Sequence, residues 1–130
     1  MTMTLMTLSP VENDGFSIAP VERDGQMVMK FAGNGDLDCP PLIREFLGRL
    51  HEEACRLRLR EVIFDFTELQ FMNSSCFRCF VTWVSMVNKM ESGQRYDVLF
   101  LSNPRLHWQR RSLEALHRFA PDVVITQTAR

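Results

Sequence analysis

The chain has 130 residues, enough for about one domain around one core. Its 45% hydrophobic and 24% charged residues are an ordinary globular mix, which excludes a disordered or fibrous chain. A net charge of −1 excludes strong nonspecific attraction to nucleic acid or anionic lipid, and no apolar run approaches the roughly 20 residues of a membrane span.

Residues 1–15 read as a flexible extension, Met/Thr-rich and then polar from Pro10 through Glu12-Asn13-Asp14-Gly15. The start lacks a basic segment, so no signal peptide is expected. The next segment alternates through Phe16-Ser17-Ile18. Asp24-Gly25 then marks a tight turn, and alternation resumes with Met27, Met29 and Phe31 on one face. This is a hairpin signal. Gly33-Asn34-Gly35-Asp36 is a loop. Asp38-Cys39-Pro40-Pro41 opens a helix, with Asp38 or Cys39 as the cap and proline in the first turn. Leu42, Ile43, Phe46, Leu47, Leu50 and Ala54 recur at helical spacing.

Glu61 to Phe66 is apolar on both faces and fits a buried central strand ending at Asp65-Phe66. Thr67 to Met72 reads as a loop. Asn73-Ser74-Ser75 signals a helix start, and that helix extends to about Glu91. Tyr96 to Leu101 is another strand, ended by Asn103-Pro104. Leu106, Leu113, Leu116 and Phe119 outline a last helix, stopped by Pro121. Val123-Val124-Ile125 forms a short final strand. The expected fold is α/β, a mixed sheet of four to five strands with helices packed on it, in the order β-β-α-β-α-β-α-β. The expected division is the extension 1–15, one domain over 16–126 and a tail over 127–130.

Catalytic chemistry is sparse. Four cysteines are too few for a disulfide scaffold, so free thiols and a cytoplasmic setting are expected. Cys76 and Cys79 form C-x-x-C, but no second pair of ligands exists for zinc. Inside a helix they read as small packing residues, with a redox pair as the minor alternative. Three scattered histidines and no nucleophile elbow give no triad, and no phosphate-binding glycine motif exists. A receiver domain phosphorylated on Asp65 would need an acidic pair and a late lysine that are missing. Arg105, Arg110, Arg111 and Arg118 read as a solvated helix face rather than a nucleic-acid site. No enzyme activity, cofactor, metal or small-molecule substrate is therefore expected.

The serines at the predicted helix start carry the one chemical option left. Backbone N–H groups there are unpaired and the helix dipole is positive, so a phosphate is tolerated. On physics alone these residues are a cap worth about 1 kcal/mol. The segment resembles the signature of STAS domains (sulphate transporter and anti-sigma factor antagonist). In that family a strand ends in Asp, and D-S-S-G opens a helix after a short loop. Asp65-Phe66-Thr67 resembles the strand end, Asn73-Ser74-Ser75-Cys76 lies over D-S-S-G, and Gly35-Asp36-Leu37-Asp38 is similar to the family's G-E-L-D. The resemblance covers residues 16–126.

It implies a STAS-like fold and a partner-switching regulator, phosphorylated on Ser74 or, as second choice, Ser75. The implied partners are a GHKL-type serine kinase that doubles as an anti-sigma factor and a PPM-type phosphatase, without nucleic acid or membrane. Asn73 keeps a capping side chain but removes a charge, and Cys76 adds a Cβ where the family has glycine. The alternative is a docking module that no longer switches. Phe71, Met72, Trp83 and Met86 are the expected partner-facing residues, although Trp83 and Met86 also suit packing against a neighbouring helix.

Overall fold

The structure, a computed structural model, describes residues 8–129. The elements in chain order are β1 (Val11–Asn13), β2 (Phe16–Arg23), β3 (Gln26–Gly35), α1 (Pro40–Leu57), β4 (Glu61–Met72), α2 (Ser74–Asn88), β5 (Asp97–Ser102), α3 (His107–Phe119) and β6 (Val124–Thr128). They build one six-stranded sheet in the order β1-β2-β3-β4-β5-β6. The expected mixed α/β architecture and its element order are observed, with one strand more than expected.

The extra strand is β1, which pairs antiparallel with β2. It lies inside the expected extension, because a three-residue strand is too short to show periodicity. The remaining expectation of flexibility concerns residues 1–7, which lie outside the described residues. At the other end β6 runs to Thr128, past the expected domain boundary at residue 126. The Asp24-Gly25 hairpin forms as read: both residues have positive φ, 53° and 79°, as a twist-matched two-residue turn requires.

Strands β3 to β6 are parallel and follow one another without a reversal. Right-handed crossovers along a monotonic order set every helix on the same face. Burial agrees: Met29, Phe31, Phe64, Phe66, Val98 and Phe100 share one core with Ile43 and Phe46 of α1, Phe80 and Val84 of α2, and Leu113 and Leu116 of α3. Phe31 lies among Phe16, Phe46, Phe64, Phe66 and Phe80, with ring centroids 5.1 to 6.4 Å away. Full burial of each such ring contributes up to about 3 kcal/mol, and the edge-on packing of Phe16, Phe46 and Phe66 against Phe31 adds to this. Among the described residues no helix is long and apolar enough to cross a membrane.

The largest departure from expectation is β4. The stretch 67–72, read as a loop, continues the strand alongside β3. Two single-residue register shifts, at Lys30/Ala32 and Gly33/Asn34, bend it on the way. Its pairing with β5 stops at Asp65–Leu101, so the bent arm has carbonyls with no strand beside them.

Candidate functional site

The arm of β4 is completed by side chains. Buried carbonyls need partners, and the start of α3 supplies them. Gln109 is fully buried, and its Nε2 donates to Phe66 O at 2.7 Å and to Leu69 O at 2.9 Å. Its Oε1 accepts from Asn103 N at 2.8 Å. Asn103 Nδ2 donates to Thr67 O at 2.9 Å, and Trp108 Nε1 donates to Gln70 O at 2.8 Å. These side chains replace the missing strand and aim the arm at the start of α2. Gln109 was invisible as a functional residue in the sequence. Its one signal is a polar residue within the apolar stripe that runs from Leu106 to Leu116.

The arm ends at Asn73, the N-cap of α2. Its Oδ1 accepts from Cys76 N at 2.9 Å, the bond expected of a cap. The Asn73 N–H donates to Gly35 O at 2.9 Å. The Cys76 thiol lies 3.5 Å from Gly35 O and 3.4 Å from Asp36 O. The Gly35-Asp36-Leu37-Asp38 segment and the Asn73-Ser74-Ser75-Cys76 segment are therefore joined, although about forty residues separate them. Gly33, at φ 91°, lets this loop approach the first hairpin, since a Cβ there would collide with Gly15 O.

Ser74 and Ser75 are the first residues of α2, and both are exposed. Because Asn73 carries the cap, neither hydroxyl has a hydrogen bond among the described residues. Arg78 lies one turn on from Ser74. Ser75 lies at the mouth of a groove of about 650 Å³ between α1 and α2, lined by Arg44, Arg78, Leu47, Trp83 and Met86 among others and by no carboxylate. The surroundings of Ser75 are thus cationic and apolar.

Several expected roles change. Asp38 is exposed and does not cap α1. The cap position is Cys39, which makes no side-chain cap bond. Pro40 and Pro41 occupy the first turn and lack N–H groups, so fewer donors need a cap. Asp65 is not at a strand end. It is buried within β4, where its Oδ1 accepts from Thr67 N at 2.9 Å and from Thr67 Oγ1 at 2.6 Å, and Arg23 lies 3.3 Å away. Burial pushes the Asp65 carboxyl up, but the Thr67 hydrogen bonds and Arg23 outweigh it and hold the pKa below its ordinary value. It is a structural anchor on the helix-free face.

Trp83 is not at the surface. It is 4% exposed and stacks on Phe64 with a centroid distance of 5.2 Å. Met72 is half-buried and packs against the core. Phe71 and Met86 remain outward, at 46% and 42% exposure, and exposed Leu37 joins them without having been singled out in the sequence.

The cysteine pair is a packing feature. Cys76 and Cys79 are buried and free. Burial pushes the Cys76 thiol pKa up to about 12, so it stays protonated at neutral pH. Cys79 Sγ lies 3.7 Å from Pro40 O. Among the described residues no cluster of His, Cys, Asp and Glu could hold a metal ion.

No protein-family model matches the sequence, and no curated protein matches it. Solved structures do. An anti-sigma factor antagonist from Mycobacterium paratuberculosis aligns over 88% of both chains with a TM-score of 0.60 and 13% identity. The complex of the diguanylate cyclase SiaD with its activator SiaC, from Pseudomonas aeruginosa, contains a chain that aligns over 94% of this protein and 93% of its own length. Its TM-score is 0.56, at 13% identity. At that identity the likeness is one of fold: the chain has the STAS fold.

Proposed function

We propose that the chain is a single-domain, non-enzymatic regulator of the partner-switching type, controlled by phosphorylation of Ser74. The observation that carries this reading is the free, exposed hydroxyl of Ser74 at the first position of a helix capped by another residue. A phosphate there meets unpaired N–H groups, the positive end of the helix dipole and Arg78. It adds roughly −1.5 to −2 charges to a chain whose net charge is −1. Nothing in the cap has to break for this to happen, so the fold survives while the surface changes.

The reading assigns binding to the exposed apolar residues Leu37, Phe71 and Met86. The partners are a GHKL-type serine kinase of the anti-sigma class and a PPM-type phosphatase. Both structural neighbours support regulation by binding: one is an antagonist of an anti-sigma factor, and the other structure holds a cyclase with its activator. Intact-mass spectrometry of the protein from its own cells tests the site. The expected result is a species heavier by one phosphate that vanishes in Ser74→Ala. Retention of the phosphate in Ser74→Ala moves the site to another residue. A pull-down comparing wild type, Ser74→Ala and Ser74→Asp tests the switch. Equal partner capture by all three rejects switching and leaves a constitutive docking module.

A further inference from the structure

The two edges of the sheet are built differently. β1 has three residues, follows Pro10 and carries Glu12, features that blunt an edge against further pairing. β6 reads Val-Ile-Thr-Gln-Thr, with no charge, proline or glycine, and its residues from Ile125 to Thr128 are exposed. Alternate residues of a parallel strand turn both backbone groups to the same neighbour. Val123 O accepts from Val98 N, and Ala129 N donates to Ser102 O, so the odd-numbered residues face β5. The even-numbered residues face outward. Val124 is already engaged, its N–H by Ala120 O and its C=O by His117 Nδ1 at 2.6 Å. Thr126 and Thr128 keep their N–H and C=O groups free among the described residues.

Beside this open edge lies a cleft of about 380 Å³, between the end of β6 and the first turns of α3. It is lined by Thr128, Ser102, His107, Arg110 and Arg111, with Glu114 as the single carboxylate. Glu114 lies 3.9 Å from Arg110, and among the described residues Arg111 has no carboxylate in ion-pair range. Four free main-chain groups and an excess of cationic side chains therefore share one strip.

We propose that the β6 edge and the α3 cleft bind an extended, acidic segment of a protein partner by strand addition. The main chain of the ligand pairs with Thr126 and Thr128, and its carboxylates meet Arg110 and Arg111. Charge favours this occupant over a second copy of the chain, because self-pairing of β6 would bring two basic α3 helices together. The strip lies two strands from the start of α2 and does not depend on phosphorylation of Ser74.

The test is fluorescence anisotropy with a labelled, end-blocked heptapeptide of alternating Val and Asp. Three comparisons accompany it: the same peptide with Lys for Asp, a backbone N-methylated version, and the chain variants Thr126→Pro and Arg110→Glu/Arg111→Glu. The Asp peptide should bind at least about tenfold tighter than the Lys peptide. N-methylation and Thr126→Pro should abolish binding, and the double charge reversal should invert the preference. Proline is tolerated at an edge position whose N–H faces outward, and the N-methylated peptide tests pairing on the unaltered chain. Ser74→Asp should leave the affinity unchanged, which separates this site from the switch. Equal binding of the two peptides, or no saturation by the Asp peptide up to about 1 mM, overturns the proposal. So does a concentration-dependent dimer, seen by sedimentation, that Thr126→Pro dissolves.

Discussion

Two strand-to-helix junctions lie at the same end of the sheet and do opposite things. At the junction of β4 and α2, the cap is made locally by Asn73, and the next two side chains face solvent. At the junction of β5 and α3, Asn103, Trp108 and Gln109 turn back and bind the carbonyls of β4. One helix start displays its residues while the other supports the display. The support explains how the bent arm of β4 holds its position where β5 no longer pairs with it. A presented hydroxyl is useful only if the backbone beneath it is fixed.

That contrast can be broken first at the support. Gln109→Leu keeps the side-chain volume but leaves Phe66 O, Leu69 O and Asn103 N without partners. Each buried orphan costs about 1–3 kcal/mol, so urea unfolding should show a loss of at least about 3 kcal/mol. Hydrogen exchange at residues 69–73 should accelerate beyond the global change, because the arm loses its brace. A loss below about 1 kcal/mol would mean that water replaces Gln109.

The display side should be far more tolerant. Asn73→Ala removes the cap and should cost about 1 kcal/mol, with Asn73→Asp restoring most of it. Ser74→Ala, at an exposed hydroxyl without a hydrogen bond, should stay within about 0.5 kcal/mol of wild type. If Ser74→Ala proves as costly as Asn73→Ala, the serine shares the cap and is less free than the geometry indicates.

The smallest perturbation is chemical. Brief iodoacetamide treatment of the folded protein at neutral pH should label Cys55, the one exposed cysteine among the four, and spare Cys39, Cys76 and Cys79. Peptide mapping reads this directly. Rapid labelling of Cys76 would show that the contact between its helix and the Gly35 loop opens readily.

Much of this was legible from local pattern. The Asp24-Gly25 hairpin, the helix beginning at Pro40-Pro41 and the Asn73 cap depend on residues within a few positions of one another. β1 was missed because three residues have no period, although Asp14-Gly15 repeats the dipeptide of the recognised hairpin. The arm of β4 was missed because Thr67 to Met72 does not alternate. Bulges break the period of two, and Gln109, some forty residues away, makes up for the lost pairing.

The sequence by itself determined the order of elements from β2 onward, the Phe-rich core and the serines at the start of a helix, since periodicity, turn chemistry and capping are local. Only the tertiary structure decided which side chains are available. Trp83 and Asp65 looked functional and are buried, because distant strands and helices close over them. Leu37 and the edge of β6 looked ordinary and are open, because exposure depends on what packs alongside. Local chemistry proposes the groups, and packing between distant segments determines which of them a partner can reach.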